Sequence, residues 1–92
     1  MPYSMKLRHE ISVAPRTVGS KLGKMSVMLD FSVTRVSAAT GATRQTVYNW
    51  FLGGDISASY RDRAQALLNI LSTSSTADEA WGEACRQFNI VA

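Results

Sequence analysis

One cysteine, Cys85, and one histidine, His9, are all that 92 residues provide of either type. A lone thiol cannot close an internal disulfide, and the two together leave no Cys/His set for structural zinc. Proline occurs twice, and charged residues make up only 18% of the chain. No run of about 18 or more apolar residues is present for a membrane span. The opening "MPYSMKLRHEISV" lacks the uninterrupted apolar stretch of a secretion signal. These absences predict a cytoplasmic protein, with no membrane, metal or cofactor. Catalysis finds no support either. His9 has no second base or nucleophile that the sequence places beside it, and Tyr60 and Asp62 have no companions for a site.

What is present is 46% hydrophobic residues, enough for one domain with a modest core, and a net charge of +3 that leans weakly toward an anionic partner. The first fifteen residues alternate Leu7, His9, Ile11 and Val13 with Lys6, Arg8, Glu10 and Ser12, a period-two pattern that fits a short strand or a mobile arm. Lys6 and Arg8 read as solvated terminal charges.

After Pro15, Thr17 can cap a helix that ends near Asp30, with Val18, Leu22, Met25 and Leu29 in one apolar stripe. Met25, Met28 and Leu29 read as core filler. Gly19 and Gly23 in this helix each cost roughly 1 kcal/mol against alanine. Either another backbone packs closely on them or they loosen a surface turn.

Ser32 is an N-cap for a helix of barely two turns, with Val36 and Ala39 inward and Gly41 placed to take the left-handed conformation that stops it. Thr43 caps the next, which ends at Gly53-Gly54. Two short helices separated by about three residues including a glycine form a recognisable pair. From Thr43 onward, Val47 and Trp50 point one way, while Arg44, Gln45, Tyr48 and Asn49 point the other way or to its margins. Arginine can donate two bonds to guanine O6 and N7, and a side-chain amide can pair with adenine N6 and N7, so this polar set suits the major groove. A fourth helix follows, with Ile56 in the approach and Ala64, Leu67, Leu68 and Leu71 inward. In the fifth, capped by Thr76 and Glu79, Trp81, Cys85 and Phe88 share a face, with Cys85 read as a small buried hydrophobe.

The run "SVTRVSAATGATRQTVYNWFLGG" resembles the lambda-repressor-like, Xre/Cro-type, helix-turn-helix family through Ser32, Ala38, Gly41, Thr43, Arg44, Gln45, Thr46, Val47, Trp50 and Gly53. The resemblance spans about Val18 to Leu71 and implies an all-α, five-helix domain. Residues 17–72 would be the DNA-binding unit, 1–16 an arm or strand, and 73–92 a C-terminal helix for packing or dimerisation.

It further implies that Arg44, Gln45 and Asn49 read bases in double-stranded DNA, with Thr43, Thr46 and Tyr48 near the backbone or a thymine methyl. Arg35 and Arg61 are expected on phosphates. Val33, Ser37, Thr40 and Phe51 depart from the family's usual residues. Phe51 either packs inside, the favoured reading, or forms an exposed apolar spot for a protein partner.

The expected function is a phage or bacterial transcriptional regulator, most simply a repressor that occludes a promoter or operator; an activator fits the same residues. A homodimer through Trp81, Cys85, Phe88, Ile90 and Val91 would read a pseudo-palindromic site with half-sites about 34 Å apart or a multiple of it. Alternatively those residues close the domain's own core. A competing reading is a protein-interaction module on the same scaffold, an antitoxin or an inhibitor of a host enzyme, using Phe51 and the aromatic tail.

Overall fold

The computed structural model describes residues 3–90, and these form six α-helices and no strand. They are α1 (Met5–Ser12), α2 (Val18–Leu29), α3 (Val33–Thr40), α4 (Arg44–Phe51), α5 (Ala58–Thr73) and α6 (Ala77–Phe88). Val91 of the expected apolar tail lies outside the described residues. Among the described residues no helix is long and apolar enough to cross a membrane.

Hydroxyl caps set most of the helix starts. Ser4, Thr17, Ser32, Thr43 and Thr76 each accept a hydrogen bond from the backbone N–H three residues on, satisfying a donor that a helix start leaves free. At Thr17 the bond is reciprocal, with Ser20 Oγ accepting from the Thr17 N–H. Glu79 reaches back one residue further than a capping box requires, accepting from the Ser75 N–H. Left-handed residues close three helices: Asp30 at φ 56°, Gly41 at φ 82° and Asn89 at φ 55°.

The expected N-terminal strand or arm is instead helix α1, which makes six helices among the described residues where five were expected. Tyr3, Leu7 and Ile11 recur at spacings of four, and Tyr3 and Ile11 are buried while Val13 is exposed. A period-two pattern contains the i, i+4 pair, so alternation alone does not exclude a helix; packing decides it. Ile11 lies on Gly23 of α2, and the Tyr3 hydroxyl donates to Phe31 O at 2.6 Å.

Helix α2 runs through the middle, against α1, α4 and α5. Of the expected apolar stripe, Leu22 is buried and Met25 and Leu29 pack against the core, but Val18 does not, and the most buried positions beside Leu22 are small residues: Gly19, Ser20, Gly23 and Ser26. The reason lies across the interface, where α4 presents Trp50 and Phe51. A Cβ on Gly19 would sit 2.5 Å from Trp50 O, and one on Gly23 would sit 2.8 Å from Phe51 Cγ. Of the two readings of these glycines, close packing is the one the fold uses, by the Trp50 backbone at Gly19 and by the Phe51 and Ile11 side chains at Gly23. The rotation turns Val18 outward at 40% exposure and Met28 at 75%, so Met28 is not core filler.

The core fills with Phe31, Val36, Val47, Trp50, Phe51, Leu67 and Leu71. Helix α6 closes it with Ala80 and Ala84, while Trp81, Cys85, Phe88 and Ile90 are half-buried against it. Cys85 is thus less enclosed than its expected role as a buried hydrophobe.

Candidate nucleic-acid interface

Three residues join α3 to α4, and side chains of α3 hold them. Gly41 bonds back to Ser37 O through its N–H, with open space where a Cβ would stand, so glycine serves the backbone conformation and not a tight fit. Ser37 Oγ donates to Ala42 O, and Thr40 Oγ1 donates to Val36 O at 2.8 Å while accepting weakly from the Ala42 N–H at 3.4 Å. Two departures from the family pattern thereby gain a structural role: their hydroxyls tie the turn to the helix before it. Arg63 of α5 adds a bond from Nη1 to Ala39 O at 3.0 Å, satisfying a carbonyl at the end of α3.

The inner side of α4 is fixed by Val47, Trp50 and Phe51, all essentially inaccessible. Trp50 meets the Tyr60 ring at 5.6 Å, and Phe51 meets the Tyr3 ring at 6.3 Å. Phe51 therefore packs inside, as favoured, against Tyr3 ahead of α1 and Gly23 of α2. The exposed apolar spot that the protein-partner reading drew on does not exist at this residue.

Opposite this anchored side, Thr43, Arg44, Gln45 and Asn49 are exposed, and Thr46 and Tyr48 are half-buried. Thr43 Oγ1 accepts from the Thr46 N–H at 3.2 Å and also bonds to the Thr46 hydroxyl at 3.0 Å. Gln45 Nε2 donates to Asn49 Oδ1 at 3.4 Å, long enough to exchange readily for another partner. That bond leaves Gln45 Oε1 as an acceptor and Asn49 Nδ2 as a donor, the complement of an adenine edge. Arg44 has no hydrogen-bond or ion-pair partner among the described residues. The helix carries no acidic residue to offset it.

The remaining two expected contacts lie off this face. Arg35 points to α6, pairing with Asp78 at 3.2 Å and lying 5.4 Å from the centre of the Trp81 ring. Arg61 is exposed, but its Nε donates to Ile56 O at 3.1 Å. Sequence reasoning missed the Arg35–Asp78 pair and the Arg63 bond to Ala39. They join positions 43 and 24 residues apart, and no local pattern signals them.

The aromatic residues of α6 are engaged within the chain: Trp81 meets Phe31 at 6.3 Å, and Phe88 lies under the Arg63 guanidinium at 4.8 Å. Among the described residues no group of three or more His, Cys, Asp or Glu side chains could hold a metal ion. No family model, curated protein or solved structure matches the chain.

Proposed function

We propose that the chain is a sequence-specific double-stranded-DNA-binding regulator of the helix-turn-helix kind, with α4 entering the major groove. The observation that carries this reading is the division of α4. Three apolar side chains lock one side into the core, while an unpaired arginine and two amides stand in solvent on the other. Apolar anchoring is common to surface helices; what suits this one to reading is that its outward arginine has no ion pair among the described residues and its two amides share only a long bond, while the anchored backbone holds all three in register.

Arg44 is assigned to a guanine, and the Gln45–Asn49 pair to an adjacent adenine. The N-terminus of α4, with the Thr43 and Thr46 hydroxyls, is assigned to a phosphate. Occlusion of a promoter by the bound protein is the simplest regulatory mechanism. The competing protein-interaction reading draws nothing from Phe51, which is buried, or from Trp81 and Phe88, which have intramolecular partners.

The test replaces Arg44 and Gln45 with alanine, singly and together, and measures binding to a selected duplex at fixed salt. Each loss of a base contact of roughly 1–3 kcal/mol weakens the preferred site by about 5- to 150-fold and flattens preference at one base pair. Helix content and melting stay as they were, since both side chains are exposed. Unchanged site preference in both variants rules the reading out.

A further inference from the structure

The outer face of α5 is a ridge between two grooves, and the charges on its two sides are opposite. The groove between α2 and α5, about 370 Å³, is lined by Lys21, Lys24, Met25, Leu68 and Asn69 and contains no carboxylate. The groove between α5 and α6, about 310 Å³, is lined by Ala66, Asn69, Ile70, Glu83 and Gln87. Asn69 belongs to both, so the ridge between them is narrow. Beyond the second groove, Glu79 stands one turn before Glu83 on the same edge of α6, and both are exposed. Glu83 also pairs with Arg86, and Glu79 accepts from the Ser75 N–H; neither bond uses all the acceptor positions of its carboxylate.

A surface with cations on one flank and carboxylates on the other is complementary to itself under a two-fold rotation. Turning one copy by 180° about an axis that lies in the interface and runs along α5 at Asn69 sets its lysine flank on the carboxylate flank of the other, twice over. This is the self-matching that an isologous dimer requires. The apolar contribution is also present. Met25 and Leu68 are half-buried in the lysine groove, and Met28, one turn along the outside of α2, is 75% exposed with no role in the core. Methionines adapt their shape to an incoming surface.

We propose that the chain dimerises through the outer face of α5, with Lys21 and Lys24 of each copy facing Glu79 and Glu83 of the other. A second copy is the occupant because the charge complement of the lysine groove lies on the same face of the same chain. An unrelated acidic partner would leave the carboxylate flank without a use. The C-terminal helix takes part through its acidic edge; Trp81 and Phe88 keep their intramolecular contacts. This proposal does not rest on the DNA reading.

The experiment is sedimentation equilibrium of the full chain without DNA, at low and at molar salt, with two variants. Lys21→Glu/Lys24→Glu makes both flanks acidic, and Glu79→Lys/Glu83→Lys makes both basic. The unmodified chain forms a dimer that salt weakens. Each variant alone dissociates at least about tenfold more readily, because like charges then face each other. Mixed in equal amounts, the two variants form a heterodimer, since each supplies what the other lacks. Circular dichroism of each variant establishes folding, and the salt titration of the unmodified chain stands if one fails to fold. A chain that is monomeric at both salts overturns the proposal and leaves the lysine groove to an acidic partner. So does a dimer that neither variant weakens, or two folded variants that do not associate on mixing.

Discussion

Arg44 and Arg35 show how differently one residue type is used within ten positions. Arg44 stands unpaired on an acid-free helix, while Arg35 is held between Asp78 and the Trp81 ring. The Arg35–Asp78 pair is exposed on the aspartate side, and such pairs contribute at most about 1 kcal/mol. Asp78→Ala should therefore leave melting nearly unchanged while freeing Arg35. If Arg35 then reaches a phosphate, the slope of log affinity against log salt steepens by about one; an unchanged slope removes Arg35 from the contact set.

Tyr3 is the residue with a consequence for pH. Burial pushes its phenol above the usual range, opposed in part by the Ser26 hydroxyl beside it. A folded-state pKa above the unfolded value means that stability is fully present below pH about 10 and falls as pH rises beyond it. Tyr3→Phe should flatten that alkaline loss relative to the unmodified chain. At neutral pH the same change leaves Phe31 O without its donor and costs about 1–3 kcal/mol. Denaturant melts of both proteins at neutral and alkaline pH check the two effects together. Parallel losses of stability would show that Tyr3 does not carry the alkaline effect.

At the scale of elements, legibility followed distance along the chain. The caps at Thr17, Ser32, Thr43 and Thr76, the left-handed Gly41 and the inward Val47 and Trp50 are set by neighbours within a turn or two, and the sequence alone locates them. Helix α1 was not legible because Leu7, Ile11 and their alternating neighbours satisfy both periods until Gly23 and Phe31 supply the packing. The inward face of α2 was obscured for a related reason: its small residues follow the aromatic bulk of α4, far along the chain.

Two glycines test this directly. Alanine at Gly19 gains roughly 1 kcal/mol of helix propensity yet places its Cβ against the backbone atom Trp50 O, which no rotamer change can move aside, so the overpacking cost falls at or above the upper end of the usual range, about 3 kcal/mol. The net expectation is a lower melting temperature, together with weakened DNA binding as α4 is pushed aside. Alanine at Gly41 meets no atom within 4 Å and should lose only the roughly 1–2 kcal/mol of a left-handed backbone. Urea melts that rank Gly41→Ala as far more damaging than Gly19→Ala would contradict this account of the α2–α4 contact.

For the whole molecule, charge is arranged more tellingly than the net of +3 suggests. Three of the seven acidic residues, Asp78, Glu79 and Glu83, lie on α6, and α4 has none. The polar set of the candidate interface was legible from the sequence because one helix and its N-cap carry all of Thr43, Arg44, Gln45, Thr46, Tyr48 and Asn49. The grooves flanking α5 were not, since they draw on α2, α5 and α6 and exist only once the chain has folded.

The central claim is that α4 reads bases. Its most direct test is selection of bound duplexes from a random pool at a fixed, near-physiological salt concentration, for the unmodified chain and for the Arg44→Ala/Gln45→Ala/Asn49→Ala variant. Attraction to phosphate alone fades with salt and leaves no consensus, whereas groove reading enriches one. The account predicts a short consensus containing a guanine beside an adenine for the unmodified chain and an unenriched pool for the variant. An unenriched pool from the unmodified, folded chain, or the same consensus from both proteins, would contradict it.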